Sequence, residues 1–274
     1  MEPVKDFSFF VTLINNYREQ NDNPVTNCLL LPARIQTYTQ QKRFYFELDR
    51  RGLFFYVDEE DYYQLFMYAS ADSDLKFHSQ DKPIVINQVV IPKVSKESAE
   101  VFEKKILEGG FNKYLTYQRM KLDKGSYIQN EQKGEKLLAK GYQLKVAKEK
   151  QYKEIDAIWK RILDPYSNLP SLRELVEYIK SGSVYCVTDE ENQIVGAILR
   201  KIEHKSCEIR HLAVEENHRG RNLAYSLFSY CIDDMMDDKQ LFLWVEVDNF
   251  AAIKLYKKLG FFSDEIKLNQ FLLN

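Results

Sequence analysis

The amino-acid sequence predicts an α/β protein built on a mixed sheet, with two units of which only the second is equipped for chemistry. Three observations carry that expectation. After Gly141 the apolar patterning gives the order strand, helix, helix, three strands, helix, strand, helix, strand. The segment 241–247, LFLWVEV, is nearly all apolar, which suits a strand covered on both faces. The stretch from Cys207 through an amphipathic helix to Val247 has the length of a right-handed crossover between parallel strands. The sheet should therefore be antiparallel at its start and parallel at its middle.

The elements follow in order. In the N-terminal half, 33–40 reads as a helix, and 43–48 with 53–57 as a hairpin turning at 50–52. Strands are expected at 61–68 and 83–91, a helix at 97–107 and a returning strand at 110–120. The stretch 121–140 is polar, charged and broken by Gly125 and Gly134, which sets the domain boundary so that the units are 1–138 and 139–274. Beyond it, 142–147 alternates like a strand. Residues 152–163 place Ile155, Ile158, Trp159 and Ile162 at helical spacing, and a second helix at 171–179 is entered through Pro170. Residues 183–188 and 194–203 form a hairpin about the turn 189–192. Then come a strand at 207–214, a helix at 223–236, a strand at 241–247, a helix at 251–259 and a strand running to Leu273. The end of the first half, FEKKILEGGFNKYLTYQRM, parallels IKLYKKLGFFSDEIKLNQFLL in the second, the mark of a duplicated fold.

Composition narrows the function classes. A chain of 274 residues, 45% hydrophobic and 29% charged, has the balance of a soluble globular protein of two domains. The formal charge of -2 gives no polyanion-binding surface, so nucleic acid is not an expected partner. No apolar run approaches the roughly 20 residues that span a bilayer. The four cysteines lie outside any CxxC pair and the chain does not open on an apolar leader, so reduced thiols and a cytoplasmic location are expected. His78, His204 and His218 lack partners at ligand spacing, and the pairs Asp233/Asp234 and Asp237/Asp238 read as a solvated helix end, so no metal is expected. Met235 and Met236 read as packing.

The segment 211–228, HLAVEENHRGRNLAYSLF, concentrates the remaining signal. A strand ends at Val214, a polar loop follows, and Arg219 and Gly220 open a helix. A helix start exposes N–H groups that have no intrahelical partner, and the helix dipole adds to their pull on anions. Gly220 allows close backbone approach, and Arg219 and Arg221 add charge. The physics predicts a pyrophosphate cradle.

This stretch resembles motif A of the GNAT superfamily of N-acetyltransferases, Arg/Gln-x-x-Gly-x-Gly/Ala after an apolar strand. Arg219 fills the first position and Ala224 the last. Asn222 stands where a glycine is usual, and asparagine is the side chain that best tolerates a positive φ. Further on, Asn249, Ala252, Leu255, Tyr256, Gly260 and Phe261 are similar to the family's motif B, Asn-x-x-Ala-x-x-Leu-Tyr-x-x-x-Gly-Phe. The resemblance covers 142 to the C-terminus.

The resemblance implies a GNAT fold with a centrally splayed sheet, acetyl-CoA as co-substrate, and an amine acceptor on a small molecule or peptide, in a monomer or homodimer. It implies that the backbone of Leu212, Ala213 and Val214 pairs with pantetheine, and that Arg219, Gly220, Arg221, Asn222, Leu223 and Ala224 hold the pyrophosphate. Asn249 would contact the cofactor arm and Tyr256 would protonate the thiolate. For the base, Glu208 ranks ahead of Glu246 and His211. Strict alternation puts Glu208 and His211 on opposite faces unless the strand bulges. The first half has only 69–82 between its two candidate parallel strands, with no Arg-Gly loop and no room for a long helix, so it would be a degenerate GNAT-like unit. A non-catalytic acyl-CoA sensor or scaffold is the competing reading.

Overall fold

The structure is a computed structural model that describes residues 1–70, 72–77, 80–123, 138–203, 205–233 and 240–274, less the side chains of 93–96. His78, His204, Asp234, Met235, Met236, Asp237 and Asp238 lie outside the described residues. The chain divides into two compact units, Met1–Tyr117 with Glu265–Asn274, and Gln118–Asp264. The polar stretch in which the sequence places the boundary thus begins inside the second unit. The first unit is completed by residues from the other end of the chain, and the second is one continuous stretch.

The first unit holds the short strands β1 (Glu2–Pro3) and β2 (Val25–Thr26), helices α1 (Phe7–Gln20) and α2 (Pro32–Gln40), and strands β3 (Phe44–Asp49), β4 (Gly52–Glu59), β5 (Tyr62–Ala69) and β6 (Ile84–Val90). Helix α3 (Pro92–Glu108) and the start of β7 (Asn112–Leu122) follow. Strands β3, β4 and β5 pair antiparallel, and β6 is parallel to β5. The C-terminal part of β13 (Phe262–Leu273) belongs to this unit and lies antiparallel on β6. Helix α1 is absent from the sequence expectation, although its signal is present. Asp6 caps it by accepting the Phe9 N–H at 2.8 Å, and Phe10, Ile14 and Tyr17 recur at helical spacing and are buried. Phe10 packs on Phe55, with ring centroids 4.7 Å apart.

The parallel ladder between β5 and β6 runs from Tyr63 opposite Ile84 to Leu65 opposite Ile86 and stops, although both strands continue. Strand β2 then takes up the freed edge of β5, with Val25 opposite Ala69 and Thr26 opposite Tyr68. Asn27, buried just beyond it, fills the gap. Its Nδ2 donates to the Leu65 carbonyl at 2.9 Å and the Asn87 carbonyl at 3.2 Å, and its Oδ1 accepts the Met67 N–H at 2.9 Å.

The second unit takes the end of β7 and builds β8 (Gln143–Val146), α4 (Tyr152–Ile162), α5 (Leu172–Lys180), β9 (Val184–Thr188), β10 (Ile194–Glu203), β11 (Ser206–Val214), α6 (Leu223–Ile232), β12 (Gln240–Glu246) and α7 (Phe250–Lys258). Strands β8 to β11 pair antiparallel and β12 is parallel to β11, the mixed sheet that the sequence predicts. Helix α4 buries Ile155, Ile158 and Trp159 against one face of the sheet, each burial stabilising by about 2 kcal/mol. Ser171 caps α5 in a reciprocal box with Glu174. The other face is covered by α6 and α7, through Leu223, Leu227, Phe228, Tyr256 and Leu259. No helix among the described residues is long and apolar enough to cross a membrane.

The predicted internal echo is visible in both units. Helix α3 ends on Gly110 with φ +102° and α7 on Gly260 with φ +91°. The following phenylalanine donates its N–H five residues back, Phe111 to the Ile106 carbonyl at 3.2 Å and Phe261 to the Tyr256 carbonyl at 2.9 Å. Ile106 therefore occupies in the first unit the place that Tyr256 occupies in the second.

Candidate acyl-CoA and acceptor site

The parallel ladder of the second unit pairs Ser206 with Gln240 through Ile209 with Leu243 and ends there. Strand β11 runs on to Val214 and β12 to Glu246, so the two splay, and among the described residues no strand covers the freed edge of β11. Glu215 donates its N–H to Val195 on β10 at 2.8 Å. By strand alternation the N–H groups of Leu212 and Val214 then face the opened edge, and Ala213 turns its own toward β10. The Val214 carbonyl already accepts from Arg219 Nε at 3.1 Å.

At the end of β11 the loop prepares a helix start. Gly220 has φ +77°, and a Cβ placed there would meet nothing within 4 Å. Asn222 has φ +59° and precedes α6, the left-handed conformation for which an asparagine is suited. The first helical bond is Ser226 N–H to the Asn222 carbonyl at 3.0 Å, and the Asn222 side chain caps nothing. The N–H groups of Leu223, Ala224 and Tyr225 therefore lack helical acceptors and point out of the helix start. Arg221 is held against the Tyr142 hydroxyl, which also meets His218 Nδ1 at 2.9 Å. Tyr142 is a positioning residue that the sequence offered only as a strand position. The open space at Gly220, the free N–H groups and the two arginines fit a pyrophosphate.

Tyr256, on α7, is buried among Phe228 and Phe261, with centroids at 5.8 and 6.3 Å, and burial pushes its hydroxyl up to about 12. Asn249 uses its Oδ1 to cap the same helix, accepting the Ala252 N–H at 3.1 Å. Its side-chain N–H₂ is left for other contacts.

On the other face of the splay the strict alternation of β11 fails. Ala197 of β10 pairs with Ala213 and Leu199 with Arg210, so two residues, His211 and Leu212, oppose Ile198 alone. His211 takes φ +53° to make this bulge. Glu208 and His211 consequently share the face covered by α4, instead of lying on opposite faces as strict alternation predicts. Alternation on β12 from Phe242, which pairs with Glu208, brings Glu246 to the same side. Glu208 Oε1 lies 3.8 Å from Arg210 Nε, and Arg210 Nη2 donates to the Asn168 carbonyl at 2.8 Å. The His211 ring lies 5.3 Å from Trp159. Burial holds its protonation well below the ordinary imidazole range, and the Arg210 charge adds to that, against the opposing pull of the Asn168 carbonyl. Among the described residues no cluster of three His, Cys, Asp or Glu could hold a metal ion.

Comparison with known proteins agrees with this geometry. Residues 150–261 match the family model of the acetyltransferase (GNAT) family. An N-alpha-acetyltransferase of Saccharolobus solfataricus is 31% identical over 102 residues, which cover 31% of this chain and 61% of that protein. A spermidine N(1)-acetyltransferase of Vibrio cholerae is 25% identical over 120 residues, 40% of this chain and 69% of the relative. The chain thus spans about three fifths of the archaeal relative. A solved tandem GNAT protein from the clavulanic acid biosynthesis pathway superposes with a TM-score of 0.51 at 11% identity, covering 81% of this chain and 78% of that one, a likeness of fold alone. Residues 150–261 are thus the part of the chain that is similar to the GNAT acetyltransferase family.

Proposed function

We propose that the second unit is an acetyl-CoA-dependent N-acetyltransferase acting on an amine of a small molecule or a peptide. The observation that carries this reading is the open edge of β11 beyond Ile209, which ends directly at the free N–H groups of α6. Pantetheine adds to that edge through the backbone of Leu212 and Val214, passing Ala213. The pyrophosphate rests on Gly220, Asn222, Leu223 and Ala224, with Arg219 and Arg221 supplying charge. Arg219 has to release the Val214 carbonyl for this, at the modest cost of one exchanged hydrogen bond. Asn249 faces the cofactor arm with its free amide N–H₂.

Transfer needs a neutral amine, a route for its proton, and a proton for the departing thiolate. Tyr256 is held protonated by burial and supplies the last. The same desolvation raises the proton affinity of the thiolate, so a phenol at about 12 is still a workable donor. The amine's proton leaves on the face shared by Glu208, His211 and Glu246. Relatives that act on protein N-termini and on spermidine support an amine acceptor without choosing between these sizes. The free cysteines suit a reducing, cytoplasmic setting.

The test is turnover. Purified chain with acetyl-CoA should release free thiol when offered members of a panel of peptides with free N-termini and polyamines. Tight acetyl-CoA binding without thiol release from any amine would instead make the chain an acyl-CoA sensor.

A further inference from the structure

Buried polar atoms without partners are uncommon in folded proteins, and each calls for an explanation. The second unit gathers three beside the β11 bulge. Trp159 Nε1, Ser167 Oγ and His211 Nε2 are each buried with no hydrogen-bond partner. Trp159 packs on the His211 ring. Ser167 precedes Asn168, whose carbonyl binds Arg210 and faces His211. Since Nε2 is unpartnered, the ring nitrogen opposite that carbonyl is Nδ1, which must carry the hydrogen. The lone pair is then on Nε2.

Resting on the acetyltransferase reading, we propose that His211, rather than Glu208, accepts the proton of the acceptor amine, on the face where its ring packs against Trp159. The amine nitrogen attacks the thioester carbonyl carbon, forming the N–C bond, and the C–S bond breaks as the adduct collapses. The amine's proton passes to Nε2, and the thiolate takes one from Tyr256. Because Nε2 is buried, the proton travels to it through one bridging water. Glu208 Oε1 lies 3.8 Å from Arg210 Nε, a partner that the unpaired His211 Nε2 lacks.

The groups facing His211 come from α4, β10, β11, the 163–171 loop and β12, which brings Glu246 to the same side. Helix α4 turns Ile155, Ile158 and Trp159 to this side, and β10 contributes Ala197 and Leu199. The charges of its own strand are Arg210 and Glu208. The 163–171 loop carries Asp164, which accepts the Tyr166 N–H at 2.8 Å, and Tyr166. Arg210 is the one whose charge acts on the ring.

The experiment uses the full chain with acetyl-CoA and an amine that it acetylates. His211→Asn keeps a residue that tolerates left-handed backbone and removes the imidazole. The expected loss in kcat near neutral pH is roughly 10²- to 10³-fold, with KM for acetyl-CoA within about twofold. The loss should shrink as pH rises toward the pKa of the amine, and Glu208→Gln should cost less than His211→Asn. A second readout needs no turnover. The folded imidazole titrates below its unfolded value, so its stabilisation is full above about pH 6.5 and is lost as pH falls. Wild type should therefore lose more stability on acidification than His211→Asn. His211→Gly, equally suited to the backbone, is a second variant held to the same outcomes. A variant with kcat within about twofold of wild type, or a larger loss in Glu208→Gln, overturns the assignment while leaving the acetyltransferase reading intact. A wild-type chain that acetylates no amine overturns both.

Discussion

The two parallel strand pairs of this chain, β5 with β6 and β11 with β12, begin alike and finish differently. Each ladder is paired for a few residues and then opens, after Leu65 and Ile86 in the first unit and after Ile209 and Leu243 in the second. In the first unit the opening is closed from within. Strand β2 pairs with the freed edge, and the Asn27 amide satisfies a carbonyl on each strand and an N–H on one. In the second, no strand among the described residues covers the edge beside the N–H groups at the start of α6. The helix positions differ in the same sense, with Ile106 where the second unit has Tyr256. The link between β5 and β6 holds no helix among its described residues, whereas that between β11 and β12 holds α6. A splayed sheet leaves backbone groups that must find partners. One unit finds them in its own chain, and in the other the proposed cofactor would supply them.

The largest effect expected from this contrast is at Tyr256. Tyr256→Phe keeps the ring packing on Phe228 and Phe261 and makes the position as aprotic as Ile106. A roughly 10- to 10⁴-fold fall in kcat is expected, with acetyl-CoA affinity little changed. Retention of kcat within about twofold would reduce the tyrosine to packing, and with it the functional difference between α3 and α7.

Asn27→Ala probes the closed side. It strips three hydrogen bonds from a buried site and leaves the Leu65 and Asn87 carbonyls and the Met67 N–H unpaired. The fold should lose about 2–4 kcal/mol, read from denaturant unfolding. Acetyl-CoA binding by the folded chain should be unchanged. A stability loss below about 0.5 kcal/mol would mean that β2 and Asn27 do not hold the first opening closed.

The contrast is partly legible in the sequence. The splay-side motifs, the left-handed Asn222 and the short link in the first half are local signals, and each is found where the sequence puts it. What escaped reading depends on distant residues. Asn27 carries no periodic or motif signal, and its importance arises from strands that lie 38 to 60 residues further along the chain. The bulge at His211 breaks period-two alternation, the exception under which Glu208 and His211 share a face, and histidine is among the residues that tolerate its positive φ. Tyr142 reads as an ordinary strand position and Ser167 carries no sequence signal, and only folding brings Tyr142 to Arg221 and buries Ser167 Oγ. The first unit is discontinuous in sequence, since Glu265–Asn274 completes it, and strand β7 is divided between the two, with Gln118–Leu122 in the second. A boundary read from composition marks a change of polarity and carries no information about which sheet a strand joins.

The central claim is that one opening binds acetyl-CoA and the other cannot. Calorimetric titration of the full chain with acetyl-CoA, repeated with Gly220→Asp and Gly220→Asn, tests it most directly. Both side chains tolerate the left-handed backbone, so the pair isolates one negative charge at the cradle, worth on the order of 3 kcal/mol or about 100-fold in affinity. The account predicts a stoichiometry near one, lost in Gly220→Asp and largely kept in Gly220→Asn. A stoichiometry near two, or a single site that survives Gly220→Asp at full affinity, would contradict it.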